Sequence, residues 1–301
     1  MKNYSTKGVS IDNLHGKVEF KLTNDYMFRA VFQTNKVALK GLLCALLHMD
    51  EHDIKNIEIK NPIELGKSIT DKEFRLDIKI LLNNNSIINI EMQVNNLGDW
   101  PERSLSYTCR MFDNLNRGSN YKNVIPVIQI GILDFTPFAD HPAFYSTYKM
   151  IEEKDHHAYS DDFIIKTLDL TRTDLATETD KRYNLDEWAR IFKVSTWDEL
   201  KELSGNNKFF KEAAKSMRIM TEEDELRERM IEREEYYALQ KYLEDRAKRA
   251  DEAEAEIKII ETKLKAAKTE LKEAKNALEE RDKKIEELEK LLQGSASPAA
   301  E

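Results

Sequence analysis

The stretch Leu76-Asp77-Ile78-Lys79-Ile80-Leu81-Leu82, followed by Ile87-Ile88-Asn89-Ile90-Glu91-Met92-Gln93-Val94, decides the fold. Both halves alternate, and successive side chains of a strand point to opposite faces. One face collects Leu76, Ile78, Ile80, Leu82, Ile88, Ile90, Met92 and Val94. The other collects Asp77, Lys79, Asn89, Glu91 and Gln93, with Leu81 and Ile87 as apolar members near the turn. The intervening Asn83-Asn84-Asn85-Ser86 is turn chemistry, because Asn tolerates positive φ. A three-residue or a five-residue loop there sets Asp77 opposite Glu91 or Gln93. In either register all three share a face.

Two carboxylates and a further polar group on one face are what a hard divalent cation takes as ligands. Mg²⁺ prefers oxygen donors and binds through one or two carboxylates plus substrate phosphate. Such a site can generate a nucleophilic hydroxide and neutralise charge on a phosphodiester. The same alternation also describes the solvated side of a two-faced antiparallel sheet.

Outward from the hairpin, residues 23–33 open with a capping Thr or Asn and carry Met27, Phe28, Val31 and Phe32 at helical spacing. Residues 37–48 repeat that pattern with Leu39, Leu42, Leu43, Leu46 and Leu47. A first strand is expected over 54–63, ending at Pro62, with a loop at 66–72. Residues 100–116 read as a helix with Pro101 in its first turn and Arg103, Tyr107 and Arg110 on one stripe. The β-branched run 124–135 is a buried strand with Pro126 near its start. Residues 144–150 and 163–170 form a further pair around the acidic loop 152–162.

In this order, Asn24-Asp25-Tyr26-Met27-Phe28, Asp77-Ile78, Asn89-Ile90-Glu91-Met92-Gln93, Arg103-Ser104-Leu105-Ser106-Tyr107, and Tyr121 with Ile125-Pro126-Val127-Ile128 and Ile132-Leu133-Asp134-Phe135 resemble the Rpn family. These are recombination-promoting nucleases and transposases, a branch of the PD-(D/E)XK nuclease superfamily. The likeness runs from about Lys17 to the start of the C-terminal coil and includes Leu185-Asp186-Glu187-Trp188 and residues 212–214.

The resemblance implies an α/β fold with a restriction-endonuclease-like mixed central sheet flanked by helices. It implies a metal-dependent DNA endonuclease linked to recombination or mobile DNA. Asp77 and Glu91, with Asp25 from the first helix, would hold Mg²⁺ or Mn²⁺. Gln93 stands where the superfamily usually carries Lys. An amide can orient water or phosphate, but cannot act as a base or supply charge. Lys79, on the same face, is the candidate substitute.

Arg103 and Tyr107 are the candidate DNA contacts. Their structural alternatives are an ion pair from Arg103 to Glu91 or Asp77 and a core position for Tyr107. For Asp25 the alternative is an N-terminal acid favoured by the helix dipole.

With 34 % charged residues and a net charge of −9, the chain is not a broadly basic nucleic-acid coat, so DNA must meet a local patch, with or without help from a metal. Two cysteines are too few for a disulfide framework and read as reduced thiols of a cytoplasmic protein. Nothing forms a signal peptide or membrane span, and no nucleotide-binding fingerprint is present. His48, His52, His156 and His157 lack zinc-ligand spacing.

Five regions follow: a loose leader (1–16), the nuclease domain (17–183), a helical region (184–242), a coiled coil (243–293) and a disordered tail (294–301). Within the helical region, Thr221-Glu222-Glu223-Asp224 reads as the N-terminal cap of the last helix. Ile257, Leu264, Leu271, Leu278, Ile285 and Leu292 recur every seventh residue. Ile260, Ala267, Ala274 and Leu288 follow three places on, broken at Arg281 and flanked by Glu and Lys. This seam predicts a homodimer. The alternative to the enzyme is a catalytically inactive nuclease-fold protein that serves as a DNA-binding or coiled-coil interaction module.

Overall fold

The alternation at the hairpin forms two strands at the heart of a mixed sheet, β4 (Ile78–Leu82) and β5 (Ser86–Gln93). The computed structural model describes residues 5–61, 63–64, 74–115 and 118–294. Pro62, the loop at 66–72, Asn116 and most of the tail (295–301) therefore lie outside the described residues. Leu82 pairs with Ser86 across a three-residue turn in which Asn83 (φ 50°) and Asn84 (φ 61°) are left-handed. That is the shorter of the two expected loops, and the register carries Asp77 opposite Glu91.

Six strands run in the order β1-β4-β5-β6-β8-β7, with β1 Ile57–Ile59, β6 Val127–Leu133, β7 Tyr145–Ile151 and β8 Ala158–Asp169. β5 pairs antiparallel with β4 and parallel with β6, while β6 pairs parallel with β8. A parallel pair needs a crossover. Helix α3 (Trp100–Phe112) supplies it between β5 and β6. Ile63–Glu64 (β2) and Phe74–Arg75 (β3) form a separate short pair.

One face of the sheet receives α1 (Asp25–Thr34), α2 (Lys36–Leu47), α5 (Leu185–Lys193), α6 (Trp197–Ser204) and α7 (Lys208–Glu222), with α4 (Glu178–Arg182) at the entry to α5. Ile78, Ile80, Ile88 and Ile90 point into this side, against Met27, Phe28, Phe32, Leu42, Trp188 and Phe192. The Phe32 and Trp188 rings lie 5.8 Å apart, and Trp188 meets Phe210 edge-on at 4.8 Å. Such pairs add about 1 kcal/mol each beyond area burial. The helical region from 184 therefore shares the core of the sheet, and the chain through Leu239 is one compact unit.

The other face is covered by α3, where Tyr107 and Met111 pack on Leu76, Ile87 and Val127. Leu76 thus faces away from Ile78, unlike the strict alternation, because the chain bends at Asp77 before β4 begins. At Gly131 a β-carbon would fall 2.1 Å from the Trp100 indole. Only a glycine lets this ring lie flat on the sheet.

Within the described part of the leader (5–16), Ile11 is buried, and the Trp197 backbone N–H donates to the Gly16 carbonyl at 2.9 Å. The Thr221 hydroxyl donates back to the Met217 carbonyl inside α7, so it does not cap the last helix as its sequence suggested. That helix, α8 (Asp224–Gly294), begins in the compact unit and continues into a second unit from Gln240. In the second unit Ile257, Leu264, Leu271, Leu278 and Ile285 are about half exposed or more, the lowest at 48 %. Among the described residues no single helix is long and apolar enough to cross a membrane.

Candidate active site

Asp77 sits where β4 starts, and its bend turns the side chain back into the sheet. The carboxylate Oδ2 accepts the Met92 N–H at 2.9 Å, and the Asp77 carbonyl accepts the Gln33 side-chain amide at 2.6 Å. The residue therefore terminates the β4–β5 ladder and ties it to α1. Its side chain is 15 % exposed, with Arg29 Nε 3.9 Å from Oδ1.

Glu91 lies in mid-strand on β5, beneath α3, and is 2 % exposed. Its face is not a solvated one. Arg103 Nε donates to Oε1 at 2.7 Å, and the Gln129 amide approaches Oε2 at 3.4 Å. Gln129 in turn accepts from the Asn89 amide at 2.9 Å, a side-chain rung between register partners of β5 and β6.

Burial dominates both acids. It pushes Asp77 up to about 6 against the pull of Arg29, and Glu91 up to about 7 against that of Arg103. The charge of Asp25 also raises Asp77, and that of Asp77 raises Glu91. Burial, with Glu91 next, lifts the Tyr107 phenol to about 12, so it stays neutral.

Asp25 is the first residue of α1, whose N-cap is Asn24. The dipole role holds by position, yet the carboxylate also turns inward. Oδ2 is 3.5 Å from Arg29 and 2.8 Å from Arg233 of α8, while Oδ1 is buried with no hydrogen-bond partner. Arg29 thus stands between Asp25 and Asp77.

Arg103 forms the ion pair with Glu91, and its guanidinium lies 5.3 Å from the centroid of the buried Tyr107 ring. Gln93 is half-buried, and its amide donates to the Asn95 carbonyl at 3.1 Å. Lys79 is half-buried in register with Asn89.

Three acids are thereby each met by a guanidinium from a helix: Asp77 by Arg29 of α1, Glu91 by Arg103 of α3, Asp25 by Arg29 and Arg233. Among the described residues, the group of three metal-grade side chains whose ligand atoms lie within 4.8 Å of one another is instead Asp50, His52 and Asp53. All three are exposed on a short 3₁₀ turn, where acidic groups gather without an ion.

The buried acids still suit a divalent cation. The donors are hard oxygens, and the orphaned Asp25 Oδ1 is a buried acceptor waiting for a partner.

Sequence reasoning missed Arg29, Gln129 and Arg233. Arg29 was findable, being four residues after Asp25 on one helix. Gln129 was findable as a polar residue within an apolar strand, since a buried amide needs a partner. Nothing local marked Arg233, more than two hundred positions from Asp25.

A mixed sheet flanked by helices, with acids at two adjacent strands and a helix acid beside them, is consistent with the restriction-endonuclease-like α/β fold. The family model for the PD-(D/E)XK nuclease family transposases matches residues 22–247, three quarters of the chain, and the protein belongs to this family. The match runs into the first turns of α8. Neither a curated protein nor a solved structure gives a match. The superfamily generally uses divalent metals and acts on DNA.

Proposed function

We propose that the protein is a metal-dependent DNA endonuclease that hydrolyses phosphodiester bonds in recombination or the movement of mobile DNA, acting in the cytoplasm. The observation that carries this reading is the grouping of the buried Asp25 and Glu91 with the part-buried Asp77, three hard-oxygen acids in the sheet-and-helix frame of a nuclease family. A bound Mg²⁺ or Mn²⁺ supplies a Lewis acid and an activated water. The chain's own part is to hold the three carboxylates, exclude bulk water with α3, and orient the substrate.

Hydrolysis forms a bond from water oxygen to phosphorus and breaks the bond to the leaving sugar oxygen. The superfamily's usual lysine is replaced by Gln93, which can align water through its amide. Lys79 is the nearest substitute in this strand pair for the missing positive charge. Arg103 is the candidate DNA contact, carrying the guanidinium geometry that suits a phosphate, while Tyr107, buried in the α3 cluster, would serve by holding that guanidinium in place.

The exposed heptad seam of α8 is the proposed homodimer surface. A row of half-exposed Leu and Ile at seven-residue spacing is the pattern one coiled-coil helix buries against another.

One observation favours a non-catalytic DNA-binding or interaction module: the Gln93 amide is already engaged by the Asn95 carbonyl. Plasmid cleavage by purified full-length protein in Mg²⁺, Mn²⁺ and EDTA separates the two. The nuclease cuts only with metal, and folded Asp77→Ala and Glu91→Ala variants lose at least about a thousandfold in rate. Folded wild type that cuts in neither metal would establish the module instead.

A further inference from the structure

The helix that carries the coil is built into the site at its base. Asn24, the cap of α1, donates its side-chain amide to the Met230 carbonyl at 3.1 Å and to Glu234 Oε1 at 3.0 Å. Met230 is fully buried in the core. One turn on, Arg233 reaches Asp25 at 2.8 Å.

Arg233 is held by more than that ion pair. Its guanidinium lies over three tyrosine rings, 5.3 Å from the centroid of Tyr26, 5.4 Å from Tyr236 and 5.6 Å from Tyr237. Arg29 also lies over the Tyr26 ring, 4.4 Å from its centroid. Two guanidiniums therefore share one carboxylate oxygen, and Arg233 Nε is buried with no hydrogen-bond partner. Arg–Tyr stacking fixes a guanidinium plane without consuming its donors. The Arg29 and Arg233 side chains are 28 % and 27 % exposed, so both forks can meet a phosphodiester oxygen beside the candidate site.

Resting on the nuclease reading above, we propose that the start of α8 is part of the DNA-binding wall: Arg233 and Arg29, stacked on Tyr26 and parked on Asp25, receive a backbone phosphate of the substrate strand. The carboxylate is their resting partner. When Asp25 is engaged elsewhere, both forks turn to the substrate. The family match through residue 247 takes in this segment, so the site draws on the end of the helical region that precedes the coil.

The test is DNA binding by full-length protein, read by fluorescence anisotropy with a labelled duplex in Ca²⁺ across a salt series. Arg233→Gln and Arg29→Gln should each weaken binding about tenfold and lower the slope of log K against log salt by about 1. Arg233→Lys should keep the wild-type slope while losing part of the affinity, because charge remains but the fork does not. Lys181→Gln, removing an exposed lysine paired with Glu178, is the control and should bind as wild type.

Wild-type affinity and slope in both Gln variants would overturn the proposal and leave the nuclease reading standing. A folded wild type that binds no DNA would overturn both. If Arg233→Gln melts early, Arg233→Lys and Arg29→Gln still decide the matter, since each retains a cation beside Asp25.

Discussion

The metal-free protein should lose stability as pH rises from about 5 to 8, and the loss should trace to Asp77 and Glu91. In the unfolded chain both carboxyls release their protons at ordinary carboxylate values, near 4. In the folded protein burial holds them to about 6 and about 7. Between those limits the folded state binds more protons than the unfolded state, so unfolding free energy falls with rising pH. The stabilisation is complete below the unfolded values and gone above the folded ones.

A shift of two units corresponds to about 3 kcal/mol per group. The side chains are 15 % and 3 % exposed, so solvent screens little of it. The two acids repel each other and share their titration, which keeps the pair below twice that figure. At about 2–4 °C per kcal/mol for a unit of this size, the Tm in EDTA should drop by about 10 °C across the window.

Circular dichroism melts at constant ionic strength supply the profile. The Asp77→Asn/Glu91→Gln double variant sets the background, because a chain of net charge −9 carries its own pH dependence. Saturating Mn²⁺ should flatten the wild-type profile, since ligation needs the deprotonated acids. A wild-type profile in EDTA parallel to that of the double variant would refute the account of the buried acids.

Three further outcomes follow from the packing and the register. Gly131→Ala places a β-carbon 2.1 Å from the Trp100 indole, and should cost about 1–3 kcal/mol in chemical denaturation while loosening α3 over Glu91. Lys79→Ala should slow cleavage about tenfold or more with the Tm unchanged; a wild-type rate would remove Lys79 from the mechanism. A chain ending at Leu239 should sediment as a monomer where the full chain sediments as a dimer, and two equal stoichiometries would remove the heptad seam from assembly.

The sheet was legible because two-residue periodicity survives wherever one face of a strand is apolar, as in Ile78, Ile80, Ile88 and Ile90. It was legible in kind as well as in place. The mixed topology was an expectation from the family resemblance, and the structure meets it with a hairpin, then a helix at 100–112, then the apolar strand at 127–133. Where periodicity misled, a tertiary contact had overridden it. Leu76 leaves the Ile78 face because Asp77 spends its side chain on the Met92 N–H. Glu91 and Asn89 read as polar surface, yet are buried because α3 folds over them. Alternation says which residues share a face and is silent about what covers that face.

The same limit explains why the candidate acids and the Arg103 ion pair could be named from sequence while Arg29 and Arg233 were not. Asp77 and Glu91 sit in one hairpin and Arg103 in the next helix, whereas Arg233 comes from the far end of the helical region, more than two hundred positions from Asp25. Yet the counter-charges determine what the site is at rest. Asp25, Asp77 and Glu91 against Arg29, Arg103 and Arg233 form a buried network close to neutral, inside a chain that is acidic overall. Neutrality makes three buried carboxylates tolerable, because an uncompensated buried charge costs several kcal/mol. It also means that the resting site exerts little attraction on DNA. On the proposal made above, affinity for DNA comes from a change of partners within the network, in which carboxylates and guanidiniums separate and the guanidiniums face the phosphate. The arginines would then both stabilise the empty fold and hold substrate, two roles that exclude one another in time.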